Sequence, residues 1–341
     1  MIDWKRLYRL TLLAAPIVIG AILLIRVRSV LFPFILAFVI TYLIYPIVRM
    51  LVRHKVPPVA AILIVYLMFA SLFTIIGVWL VPILISQLTK LAEMLPSYFD
   101  QITEALNSFH ESFERMQLPE TVKIVIEARL VTFEESIGQT IGGLIEGILG
   151  MVSYAVSFIL APIFAFYLLR DIEIIKRGIV NLIPIKYKSE GILFLKDVDK
   201  AIGGYIRGQL IVILITGTIS GITMALLGIR FAVLIGVFVA ITDIIPYIGP
   251  IVGTIPAVMI ALLQSPVLAL YVLAAFVLIQ QIEASIIAPR VVSHRVGLHP
   301  LIIIFSLFVA REILGIPGML IAVPSAATIR VFLKHFYKHL V

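Results

Sequence analysis

The chain has 341 residues, of which 62% are apolar and 13% charged, against roughly 45–50% and about 25% in an ordinary soluble domain. Mean hydropathy is +1.15, so there is too little polar surface to cover a soluble core, and a lipid environment is what makes the composition sensible. The formal charge of +8, from 27 Lys+Arg against 19 Asp+Glu, then implies basic loops facing anionic lipid and excludes nucleic acid as a partner. The absence of cysteine excludes a disulfide framework and a thiolate metal site.

Lys5, Arg6 and Arg9 precede an apolar run, Leu10–Ile25, which has the look of a signal peptide. No small-residue cleavage motif follows, and Arg26 and Arg28 lead directly into more apolar sequence, which predicts an uncleaved first span. A spanning helix needs about 20 apolar residues. The candidates are Leu10–Ile25, Val30–Ile47, Val59–Ile85, Ile148–Leu169, Leu210–Leu227 and Pro266–Ile282. Two longer stretches are interrupted: Phe231–Leu263 by Pro246, Gly249 and Pro250, and Leu301–Ile329 by Arg311, Glu312, Gly315, Pro317 and Gly318. Each predicts a helix–break–helix hairpin, either crossing fully or dipping in and returning. The fold expected is all-α and polytopic: N-terminal transmembrane helices over 1–86, an extracytoplasmic amphipathic helical segment over 87–147, and a transmembrane transport region over 148–341 with broken hairpins at 231–263 and 301–329.

Charge sets the orientation. Residues 170–209 hold eight Lys/Arg against five acids, and Arg49, Arg53, Lys55, Arg290, Arg295, Arg330, Lys334 and Lys338 flank other apolar runs. All fall on one side, the cytoplasm, if each hairpin enters and leaves on the same side. Both termini are then cytoplasmic, in a plasma membrane. Residues 87–147 hold four Lys/Arg against ten acids and belong outside. Ile102, Leu106, Phe109, Phe113 and Met116 recur there at helical spacing until Pro119, which fits amphipathic helices on the membrane or a neighbouring subunit, or a solvated spacer. Ile192, Leu195, Val198 and Ile202 suggest an interfacial helix on the opposite side.

Polar residues within spans are costly and so become functional candidates. Thr216, Ser220 and Thr223 share one helix face beside Gly217 and Gly221, a pattern suited to close packing or to a substrate-lining surface. Gly204/Gly208 and Gly143/Gly147 repeat the small-residue spacing. Asp243 stands among apolar residues just before Pro246, Tyr247, Gly249 and Pro250. Two prolines lack amide donors and glycine permits unusual dihedrals, so the helix must break there. Broken backbone at membrane depth is tolerated only when sheltered by protein or lining a watery cavity. The segment is thus either a substrate or ion site or a tight interfacial turn capped by Asp243. Gln281 and Glu283 end an apolar helix, and Arg311 and Glu312 adjoin the second break.

Enzymatic signatures are missing: there is no HExxH, P-loop, GxSxG or GxGxxG before a helix. The six histidines are scattered and form no metal-ligand pair within a span. The expectation is a non-enzyme without cofactor or metal, moving a small-molecule or ion substrate by gradient or passively.

The C-terminal half resembles the AI-2E family of bacterial membrane proteins. The resemblance is carried by Gly208-Gln209-Leu210, Leu227-Gly228, the block from Asp243 through Pro250 with Gly253 and Pro256, then Gln281, Glu283, Pro289, Leu298-His299-Pro300, Gly315, Gly318 and Ala322-Val323-Pro324. Order and spacing match over about residues 205–325, and the basic start with two close spans ending at Pro46 also fits. The resemblance implies about eight spans, an outer segment after the third, homo-oligomeric assembly and transport of a small solute. Some relatives are described as autoinducer-2 exporters, others as sodium(lithium)/proton antiporters, and some are linked to sporulation. The antiporter function would rest on Asp243 and Glu283. Ala284-Ser285 departs from the glycine–asparagine-like pair expected after Glu283. The leading expectation is gradient-driven export of a small polar solute such as an autoinducer-type signal, with sodium(lithium)/proton antiport and a non-transporting scaffold of a cell-envelope or sporulation complex as alternatives.

Overall fold

The structure is a computed structural model that describes residues 28–114, 155–293 and 297–340. The predicted span Leu10–Ile25, the Gly143/Gly147 pair and the part of the outer segment holding Met116 and Pro119 lie outside these residues. Everything described is helical or a connecting turn, with no strand among the described residues. The helices are α1 (Arg28–Arg53), α2 (Pro58–Glu114), α3 (Ala155–Arg170), α4 (Ile172–Asn181), α5 (Lys188–Leu226), α6 (Ala232–Thr242), α7 (Ile248–Gln264), α8 (Pro266–Ile282), α9 (Pro300–Leu314) and α10 (Ile316–Leu340). Two π-helical turns, Glu283–Ile287 and Pro289–Ser293, follow α8.

Among the described residues five helices are long and apolar enough to cross a membrane: Leu31–Arg53, Pro58–Leu91, Ile185–Leu226, Pro266–Val291 and Ile316–Tyr337. The chain is therefore a multi-pass all-α membrane protein. Its outer surface suits lipid, with Phe73, Val78, Trp79, Leu301 and Phe305 all exposed. Such residues need no covering where the solvent is hydrocarbon.

Two helices run past the boundaries that polarity suggested. α2 is a single 57-residue helix, about 85 Å long at 1.5 Å per residue, and continues from the third span into the outer segment without stopping at residue 87. Ile102, Leu106, Phe109 and Phe113 lie on this same helix. Gln87, Lys90 and Glu93 change which solvent the helix prefers, yet they are good helix formers and give the backbone no reason to end. α5 is likewise one 39-residue helix joining the stretch at Ile192 to the span at Leu210. Part of the stripe read as interfacial is turned into the bundle: Ile202 is buried and Val198 half-buried, packed with Val323 and Ala327 of α10.

The bundle is held by two kinds of contact. α1, α2 and α3 share an aliphatic cluster of Ile44, Val48, Ala61, Ile62, Val65 and Leu169, with Phe34 stacked on Phe164 at 4.4 Å between ring centroids. Tyr66 donates its hydroxyl proton to the Pro162 carbonyl at 2.6 Å, joining α2 to α3. α5 and α6 instead meet backbone to backbone and run antiparallel. A Cβ on Gly217 would meet Ala240 Cβ at 2.6 Å, and one on Gly236 would meet Gly221 Cα at 2.8 Å. Small residues permit this approach, and in lipid close packing is a principal force between helices.

Both expected hairpins are present. α6 and α7 are joined by the turn at residues 243–247, and α9 and α10 by Gly315. Gly315 has φ 70° and ψ −149°, a conformation open essentially to glycine alone. α6 has 11 residues and α7 has 17, or about 16 and 25 Å of rise. The former is too short to cross the roughly 30 Å hydrocarbon layer unaided.

Candidate functional site

The first break is set by local chemistry. α6 ends at Thr242, whose hydroxyl turns back to the Phe238 and Val239 carbonyls at 3.0 and 3.1 Å. Pro246 cannot donate an amide, and the chain reverses through Tyr247 at φ 65° and ψ −41°, a costly conformation for a non-glycine residue. Gly249 then comes so close to the Thr242 carbonyl that any Cβ would clash with backbone. Its amide is satisfied by Ile245 O at 2.8 Å, and α7 begins. From α5, Gln209 Nε2 donates to the Asp243 carbonyl at 2.8 Å, satisfying a group freed by the break.

Asp243 is fully buried, at 0% exposure. Neither carboxyl oxygen has a hydrogen bond of ordinary geometry, although the Thr216 hydroxyl lies alongside, and Ser220 Oγ is also buried without a partner. Buried polar groups in native proteins are nearly always paired, so these atoms stand out from the packing around them. The neighbours include Glu283, Thr216 and Tyr205, whose groups lie within electrostatic reach of Asp243. Thr216 Oγ1 donates to Glu283 Oε2 at 3.4 Å, a long bond that ties α5 to the π-helical turn after α8. Such turns widen the helix locally and often occur at functional sites. The cluster is thus the Asp243 and Glu283 carboxyls with the Thr216 and Tyr205 hydroxyls, brought together from α5, the turn after α6 and the turn after α8, and every polar atom is oxygen.

The other sequence candidates sort differently. Thr216 and Ser220 are buried on α5, while Gly217 and Gly221 form the close contact with α6 and Thr223 is half-buried one turn further along. Pro250 is buried and Pro246 half-buried, and Tyr247 is 42% exposed. Gln281 faces outward and donates to Ser285 at 3.2 Å. Arg311 and Glu312 are exposed on the last turn of α9. A Cβ on Gly318 would strike the Ala310 carbonyl, so glycine is required for the second turn to close. The first break meets the second hairpin on its flank: Ile245 and Ile248 pack against Leu307, Met319 and Ala322. Gln209 and Gln87 were not singled out as site residues. Gln87 Oε1 accepts from the Leu234 amide at 2.9 Å, anchoring α2 to the start of α6 beside a 420 Å³ cavity lined by Gln87, Lys90, Glu93, Met94, Arg230 and Phe231. Glutamine at a helix surface gives no sequence signal for a partner more than a hundred residues away. No group of three or more His, Asp or Glu side chains is placed to hold a metal among the described residues.

A family profile described as AI-2E family transporter matches residues 13–338. The chain belongs to the AI-2E transporter family. Two Bacillus subtilis relatives named "Putative transport protein", YrrI and YueF, are each 33% identical, over 92% and 91% of this chain and 88% and 85% of their own. The AI-2 transport protein TqsA of Escherichia coli is 26% identical over 90% of this chain and 86% of its own. Within this AI-2E chain, the residues that carried the resemblance include both breaks and Gln209, the side chain that braces Asp243.

Proposed function

We propose that this membrane transporter is a gradient-driven exporter of a small polar solute of the autoinducer-signal type, with Asp243 as its charge-carrying group. One observation carries the reading: a fully buried carboxylate with both oxygens unpartnered at a break in a membrane helix. An unpaired buried carboxylate costs several kcal/mol on any scale, and such residues in membrane spans are default candidates for substrate or proton pathways. Loading by a proton, cation or solute removes that cost and gives the site two states of different stability.

The hairpins supply the gating elements. With residues 170–209 and 290–295 on the cytoplasmic side, the α6–α7 hairpin enters from outside and the α9–α10 hairpin from inside. Their contact through Ile245, Ile248, Leu307 and Met319 is apolar, so it can slide or part without breaking hydrogen bonds. Alternating access then consists of one hairpin moving against the other around Asp243, Thr216 and Glu283. Sodium(lithium)/proton antiport is the second reading, favoured by the all-oxygen donor set, which suits hard cations.

The test is flux through purified protein in liposomes. A sodium or lithium gradient that drives proton movement, lost in Asp243→Asn and Glu283→Gln, supports antiport. Solute retention in cells lacking the protein, restored by wild type and not by Asp243→Asn, supports export. No flux of any kind, with cellular phenotype preserved in Asp243→Asn, would sink both and leave a scaffold.

A further inference from the structure

We infer that α4 and the turn after it form an interfacial foot that binds the anionic lipid surface of the cytoplasmic leaflet. α4 has no buried residue. Ile174, Ile175, Ile179 and Leu182 are 64%, 40%, 43% and 84% exposed, and Ile185 in the following 3₁₀ turn is 92% exposed. At 100° per residue these helical positions fall on one arc. Glu173 and Arg177 fall on the opposite arc, whereas Asn181 lies about 20° from Ile174 at its edge.

Two contacts set the height of this helix. α4 begins two residues after α3 ends at Arg170, so it starts where the chain leaves the membrane. Lys176 donates from Nζ to the Tyr45 hydroxyl at 3.0 Å and lies 4.6 Å from the centroid of the Tyr45 ring. Tyr45 lies one turn, about 6 Å, before Arg49, the first basic residue at this end of α1. α4 is therefore held close to the level at which α1 turns from apolar to basic. A water-facing position would leave five large aliphatic side chains in solvent, whereas an interfacial one buries them among acyl chains.

Charge selects the lipid. Residues 170–190 carry Arg170, Lys176, Arg177, Lys186 and Lys188 against Asp171, Glu173 and Glu190. Arg170 is bonded to Asp171 at 2.9 Å and Lys176 is taken up by Tyr45. Arg177, Lys186 and Lys188 are exposed along the same rim, where each basic group near an anionic surface is attracted to it.

The chain contains no cysteine, so single spin labels can be placed without altering the background. Full-length Leu182→Cys and Glu173→Cys, each labelled with a nitroxide, are reconstituted in phosphatidylglycerol-rich and in pure phosphatidylcholine vesicles. Collision of each label with oxygen and with a water-soluble nickel chelate is then measured. The expected result is a label at 182 that meets oxygen more than nickel, while the label at 173 meets nickel. The contrast at 182 should be larger in phosphatidylglycerol and fall to the phosphatidylcholine level when Arg177→Glu and Lys188→Glu are added. Equal nickel access at 182 and 173 overturns the proposal. A label at 182 shielded from both reagents also overturns it, since a second copy would then cover the face. A contrast that ignores lipid charge overturns the assignment to anionic lipid.

Discussion

Replacing Gly236 with alanine asks how much of the bundle rests on the α5–α6 contact. The added Cβ would lie 2.8 Å from Gly221 Cα, 2.9 Å from Gly217 O and 3.1 Å from Gly221 N. Ordinary contact begins near 3.4 Å, so the helices must separate by about 0.6 Å, and a gap of that size forfeits a quarter or more of each dispersion contact across the seam. All three obstacles are backbone, so no rotamer change relieves them. Overpacking of this kind costs about 1–3 kcal/mol. Gly77 is the internal control. It also lies in a helix, on α2, but a Cβ there meets nothing within 4 Å, so Gly77→Ala should gain up to about 1 kcal/mol from helix propensity alone. Thermal unfolding of both variants in one detergent, followed by loss of the monodisperse chromatographic peak, should move in opposite directions. Gly236→Ala should also slow transport, because the same seam positions Asp243 beside Thr216. If Gly236→Ala is as stable as Gly77→Ala, the packing argument is wrong.

Asp243→Asn should fold as wild type does while losing transport, since the amide keeps the shape of the carboxyl but cannot carry its charge or proton; retained flux would remove Asp243 from the pathway. Gln209→Leu should lose about 1–3 kcal/mol by leaving the Asp243 carbonyl without a donor, measured by the same unfolding assay. Gly249→Ala should fail to give a folded, membrane-extractable protein, because its Cβ would enter the Thr242 carbonyl, whereas Gly253→Ala, with 3.0 Å to the Val239 side chain, should fold.

Where prolines and glycines interrupt an apolar run, the sequence marks the structure closely. α8 spans Pro266–Ile282 as expected, because proline suits the first helical turn and the polar pair at 280–281 marks its end. Both hairpins were legible for the same reason. α2 and α5 were not, since a change of polarity marks where water begins and says nothing of whether the helix stops. Asp243 stood out as a lone charge in an apolar run. Its neighbours did not, because the Thr216–Glu283 bond spans 67 residues of sequence and the π-helical turn that carries Glu283 has no sequence mark. The reversal at Tyr247 was hidden too: its positive φ falls on a residue that seldom adopts it, between proline and glycine that were credited with the bend.

α5 touches both hairpins, α6 through its glycine seam and α10 through the cluster at Val323, and its 39 residues contain no proline. In the proposed cycle it would serve as a common axle: displacing either hairpin would load the same continuous rod, and a piece of secondary structure already in place would link the two.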